Sequence, residues 1–102
     1  MALACGDSAR GVAARVTSPA GWAEAQIVEH ENDDTRVRVV FDGGRCSEDP
    51  FHSPGVRLGL RLRWVDATTL EVSYPPGVLL DRPPDSTVRC EEREVRLVLS
   101  KQ

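Results

Sequence analysis

Three cysteines (Cys5, Cys46 and Cys90) and two histidines (His30 and His52) are the residues of this sequence with the most chemistry to offer. Cys46, His52, Cys90 and His30 are all zinc-ligand types. Their spacing lacks the short C-x-x-C knuckle that presents two thiolates to one ion, so no metal and no other cofactor is expected. Nucleophilic catalysis fares no better. There is no G-x-S-x-G elbow, and no serine or cysteine stands beside a base in a recognisable arrangement. The carboxylate pairs Asp33-Asp34 and Glu91-Glu92 fall in turn-like stretches, where solvation is their natural role. Gly43-Gly44 ends a strand-like run and opens no helix, so it is not a phosphate loop. These residues argue against an enzyme.

The cysteines suggest a compartment instead. Ala2-Leu3-Ala4-Cys5-Gly6 has the form of the end of a bacterial lipoprotein signal. In such signals small residues precede a cysteine that becomes the lipidated first residue of the mature chain. Leucine more usually sits three residues before the cysteine, where this chain has Ala2. On this reading Cys5 is a lipid anchor to the membrane and Met1 is an added start. The alternative is a cytosolic chain with an incidental, exposed Cys5. No stretch approaches the roughly 18 apolar residues that span a bilayer. With Cys5 given to lipid, Cys46 and Cys90 remain, and in an oxidising envelope they pair. The bridge closes a loop of 44 residues. Chain-entropy reasoning gives about 4 kcal/mol for such a loop. In a reducing compartment the two would be unrelated buried thiols.

Lysine and arginine together number 13 against 16 acidic residues, and Lys101 is the one lysine, which leaves twelve arginines. A GC-rich genome produces that bias on its own. A net charge of −3 without a lysine cluster disfavours nucleic acid, whose affinity comes from neutralised phosphates. Arg36 and Arg38 share one strand face, and Arg57, Arg61 and Arg63 another, with Arg96 a candidate to join them. If these strands are neighbours, the guanidinium groups form a stripe able to hold a protein or anionic ligand through bidentate contacts. The competing arrangement is a solvated ladder of pairs with Glu24, Glu29, Glu71 and Glu94, each worth little.

These side chains need elements to hold them, and 102 residues suffice for one domain. Residues 1–11 read as a disordered leader or tether, and residues 12–102 as a single β domain. Val12–Thr17 is a short first strand. Trp22–His30 fits helix or strand; strand is favoured because Thr35–Asp42 looks like its hairpin partner. Arg45–Gly55, with Pro50 and Pro54, reads as a loop. Val56–Val65 alternates almost without fault. Val56, Leu58, Leu60, Leu62 and Trp64 take one face, and Arg57, Gly59, Arg61, Arg63 and Val65 the other. Thr69–Tyr74 is its hairpin partner across Asp66-Ala67-Thr68. Pro75–Thr87 is a long proline-punctuated loop, and Val88–Ser100 holds a last strand with Val95, Leu97 and Leu99 facing in. The expected architecture is an antiparallel β-sandwich, meander or half-open barrel of about five to seven strands.

Trp64-Val65-Asp66 followed by Leu70-Glu71-Val72-Ser73-Tyr74 reads W-x-D-x-x-x-L-x-V-x-Y. This resembles a hairpin in small, uncharacterised bacterial envelope lipoproteins, where a valine- or isoleucine-rich strand comes last, as Val95–Leu99 does here. The resemblance covers residues 56–74 well and 20–100 loosely, and it carries no assigned activity. It implies a β domain of the bacterial envelope, periplasmic or membrane-anchored. The expected function is a non-enzymatic, membrane-tethered binding domain for a protein or anionic ligand. The alternative is a cytosolic interaction module of the inhibitor or immunity type.

Overall fold

Period-two alternation decides most of the backbone. The computed structural model describes residues 9–30, 33–80 and 83–102. Cys5 and most of the expected leader lie outside those residues. Eight strands follow one another: β1 (Ala9–Thr17), β2 (Ala23–His30), β3 (Asp34–Phe41), β4 (Cys46–Pro54), β5 (Arg61–Asp66), β6 (Thr69–Tyr74), β7 (Thr87–Cys90) and β8 (Arg93–Lys101). They form two four-stranded sheets: sheet A, ordered β1-β2-β3-β4, and sheet B, ordered β5-β6-β8-β7.

The ambiguous stretch after Trp22 is strand β2. Its register sets Ala23 opposite Phe41, Ala25 opposite Val39 and Ile27 opposite Val37. Those pairs fill the inner face of sheet A, and Ala25, Val37, Val39 and Phe41 are wholly buried. Small alanines opposite large partners let the facing sheet approach closely. Leu70, Val72, Val95 and Leu97 supply the matching inner face of sheet B.

Several expectations need correction. The strand count is eight, and β6 pairs with β8 in parallel, so the architecture is not wholly antiparallel. The chain is already in β1 from Ala9, three residues before the expected domain start. The expected loop Arg45–Gly55 is mostly strand β4. It tolerates proline because it is an edge strand with a bulge, where a missing N–H costs least. Between Val37↔Phe51 and Val39↔Glu48 the ladder shifts, so Asp49 and Pro50 together face Arg38. Val88–Ser100 is two strands: β7 and β8 fold back on each other across Glu91-Glu92. Leu99, expected inside, is 36% exposed.

Val56–Val65 is shorter as a strand than its pattern suggests. Burial alternates along it as expected, but ladder pairing begins only at Arg61. The cause is backbone conformation: Arg57 has φ 54° and Gly59 φ 79°, left-handed values that an extended strand cannot contain.

The sheets stack with β1 near β5 and β4 near β7. On the first side, Trp64 Nε1 donates to the Val16 carbonyl at 2.8 Å. On the second, the Cys46–Cys90 disulfide joins β4 to β7, with the Cα atoms 5.9 Å apart. The sandwich therefore has a disulfide end, carrying the turns at 42–45 and 91–92. Its opposite end carries the start of β1, the connection at 55–60 and the loop that leaves Tyr74.

Candidate functional site

The two outer faces treat their arginines differently. On sheet A, β3 alternation points Arg36 and Arg38 outward, and the β4 bulge swings Asp49 toward them. Arg38 grips Asp49 with two bonds, Nε to Oδ1 at 2.8 Å and Nη2 to Oδ2 at 3.2 Å. Arg36 reaches Asp49 at 3.4 Å and Asp34 at 3.5 Å. His52 Nε2 lies 2.9 Å from the same Asp34 oxygen. Burial alone would raise the Asp49 pKa. The bonds and charge of Arg38, then of Arg36, outweigh it and hold the carboxyl below its ordinary range. Two guanidinium groups thus meet two carboxylates, and the cluster balances its own charge. The Arg36 Nε and Asp34 Oδ1 atoms are enclosed within the cluster without a hydrogen-bond partner.

On sheet B, the outward positions include Arg61 and Arg63 on β5, Thr69, Glu71 and Ser73 on β6, Glu94, Arg96, the exposed Val98 and Ser100 on β8, and Thr87 and Arg89 on β7. Arg63 pairs with Glu71 at 3.0 Å and Arg89 with Glu94 at 2.9 Å. Both pairs sit in solvent and add little to stability. Arg61 and Arg96 are exposed and make no ion pair among the described residues. Arg61 shares its row with Ser73 and Ser100, and Arg96 lies between Thr69 and Thr87. The Thr69 hydroxyl is engaged with Asp66, whose carboxyl is held below its ordinary range chiefly by the Thr68 backbone N–H. Each of these unpaired guanidinium groups, Arg61 and Arg96, can hold carboxylate or phosphate oxygens.

The stripe expected from the sequence is therefore divided. Arg36 and Arg38 occupy the outer face of sheet A. Arg61 and Arg63 occupy the outer face of sheet B, and Arg96 joins them there. Arg57 belongs to neither face. It lies in the connection before β5, with its backbone N–H donated to Glu29 Oε2 at 2.8 Å. The expected glutamate partners are also distributed: Glu24 pairs with Arg15, Glu71 with Arg63 and Glu94 with Arg89.

Sequence reasoning passed over two groups. One is the Asp34–His52–Asp49 set, because Asp49 and His52 stood in an apparent loop. The other lies at the disulfide end, where Trp22 stacks on Phe41 with centroids 6.1 Å apart. The Arg93 guanidinium carbon sits 4.7 Å from the Trp22 ring centre, and Arg93 also meets Asp42 at 3.3 Å. Arg45 bonds Glu91 nearby. Asp42, Arg45, Glu91 and Arg93, with Glu92 and Cys90, line an open cleft of about 510 Å³. Its sulfur is locked in the disulfide, and its arginines are occupied by carboxylates. Among the described residues no three His, Cys, Asp or Glu side chains gather to hold a metal ion.

The chain matches no protein-family model, no curated protein and no solved structure with which it was compared.

Proposed function

We propose that this chain is a non-catalytic binding domain of the bacterial cell envelope, tethered by a lipid on Cys5, that engages a carboxylate-rich partner through the outer face of sheet B. The observation that carries the reading is the contrast between the faces. Sheet A neutralises its own Arg36 and Arg38, whereas sheet B leaves Arg61 and Arg96 exposed without acidic partners among the described residues. The Cys46–Cys90 bridge supports an oxidising compartment over the cytosolic alternative. The small residues before Cys5 support the tether.

A polyglutamate peptide is a direct probe of the face. Titrated into the Cys5→Ser form at low salt, it is expected to shift the side-chain Nε–Hε NMR signals of Arg61 and Arg96 and to leave those of Arg36 and Arg38 in place. Arg61→Ala with Arg96→Ala should abolish the response, and added salt should weaken it. Equal shifts on both faces, or none on sheet B, would sink the assignment.

A further inference from the structure

Among the described residues two valines and three leucines stand in solvent: Val65, 50% exposed, lies toward the disulfide end and Val98, 42% exposed, in the middle of sheet B, whereas the leucines lie elsewhere. Leu79 is 68% exposed, Leu80 37% and Leu99 36%. All three lie toward the end of the sandwich opposite the disulfide. The loop carrying Leu79 and Leu80 leaves β6 at Tyr74, and Ser53, near the end of β4, donates to the Leu79 carbonyl. Leu99 stands two residues before Lys101, which pairs with Tyr74 at the same end.

The chain enters the fold at that end too. Ala9 opens β1 opposite His30, the last residue of β2. Four residue steps separate Ala9 from Cys5 and span at most about 14 Å when fully extended. A lipid on Cys5 would therefore hold this end, and not the disulfide end, against the bilayer. Two exposed cations stand here as well. Arg57 and Lys101 make no ion pair among the described residues. Exposed leucines at an end that also carries basic side chains suit a surface that rests in the headgroup layer.

We infer that Leu79 and Leu80 form a membrane-contacting tip, so that the tethered sandwich stands with its strands steeply inclined to the bilayer and sheet B facing sideways. The inference rests on the tether proposed above. It identifies the partner of this end as a lipid surface, distinct from the carboxylate-rich partner of sheet B.

The test imposes the tether chemically. In the 102-residue chain made without the lipid, Cys46 and Cys90 are joined and Cys5 is the remaining thiol, and it can be coupled to a maleimide lipid in phosphatidylcholine vesicles with brominated acyl chains. Trp22 and Trp64 lie toward the far end and serve as internal controls. The Leu79→Trp variant is expected to add emission that the brominated chains quench, while Trp22 and Trp64 emit as they do over unbrominated lipid. Unquenched emission from position 79 overturns the inference, and so does quenching of Trp22 and Trp64 in the unsubstituted chain. Emission from position 79 that moves to the blue without quenching would mean that a second copy of the chain covers the tip, and it also overturns the inference. The natural tether is assayed apart from this, by detergent-phase partitioning of the full-length protein made in a bacterium. Failure there removes the lipid on Cys5 and leaves the vesicle result standing on its own.

Discussion

Asp49 is the residue through which sheet A settles its charge. The bulge gives β4 one residue more than β3 opposite Arg38, and that extra residue brings a carboxylate within reach of two guanidinium groups. A charge-assisted, bidentate pair that is only 21–30% exposed is stronger than a rim contact. Arg38→Ala is expected to destabilise the domain by about 1–2 kcal/mol at pH 7, read as a shift in the urea midpoint. The same pair fixes a pH dependence. The folded-state pKa of Asp49 lies below its ordinary value of 3.8, so the contribution is complete above that pH. It fades as pH falls through the lower, folded-state pKa, because the unfolded chain takes up the proton first. The gap between wild type and Arg38→Ala should therefore narrow below about pH 4. A gap that stays constant down to pH 2 would show that Arg38 acts through packing alone. Arg36 and Arg38 were legible in the sequence as outward residues of one strand. Their partner was not, because Pro50 beside Asp49 reads as a strand breaker, and a bulge has no signature of its own.

At the scale of elements, hairpins were the most legible feature. β2–β3 and β5–β6 declare themselves by alternation on both sides of a polar turn. What alternation cannot show is where a ladder begins. Residues 56–60 alternate in burial as well as any strand, yet Gly59 takes φ 79° and breaks the extended backbone. A Cβ at Gly59 would come within 3.3 Å of Pro75, where the chain leaves β6. Gly59→Ala thus meets both a left-handed conformation and a rigid ring. It is expected to cost about 1–3 kcal/mol. Gly43→Ala has a similar φ of 70° but open space around the added methyl group, so it should cost less. Thermal unfolding of the two variants side by side checks the order. Equal losses would mean that backbone conformation alone sets the cost and that the Pro75 contact is slack. The same geometry bears on the arginine face, because it delays pairing until Arg61 and keeps Arg57 out of the row that Arg61 and Arg63 share.

At the scale of the molecule, strand membership could not be read from the sequence. Which sheet a strand joins depends on contacts far along the chain. The parallel insertion of β8 between β6 and β7 gathers Leu70, Val72, Val95 and Leu97 into one core, and no local signal announces it. That non-local arrangement sends Arg36 and Arg38 to one outer face and Arg61, Arg63 and Arg96 to the other. The cysteine pair was legible because counting cysteines needs no topology. Its mechanical role follows from the topology: it ties β4 of one sheet to β7 of the other across a separation of 44 residues. On the opposite side, the Trp64–Val16 hydrogen bond is a far weaker tie between the sheets. For a loop of this length, losing the bridge should cost about 4 kcal/mol. A domain of about 100 residues has only about 5–15 kcal/mol in total. Reduction is therefore expected to lower Tm by roughly 15–30 °C, at the usual 4–8 °C per kcal/mol for a domain of this size. Calorimetry with and without a phosphine reductant measures it. The folded chain made without the lipid should give up one thiol to an alkylating reagent, that of Cys5. Three reactive thiols together with an unchanged Tm would show that the two sheets hold together by packing alone, and the argument for an oxidising compartment would fall with the bridge.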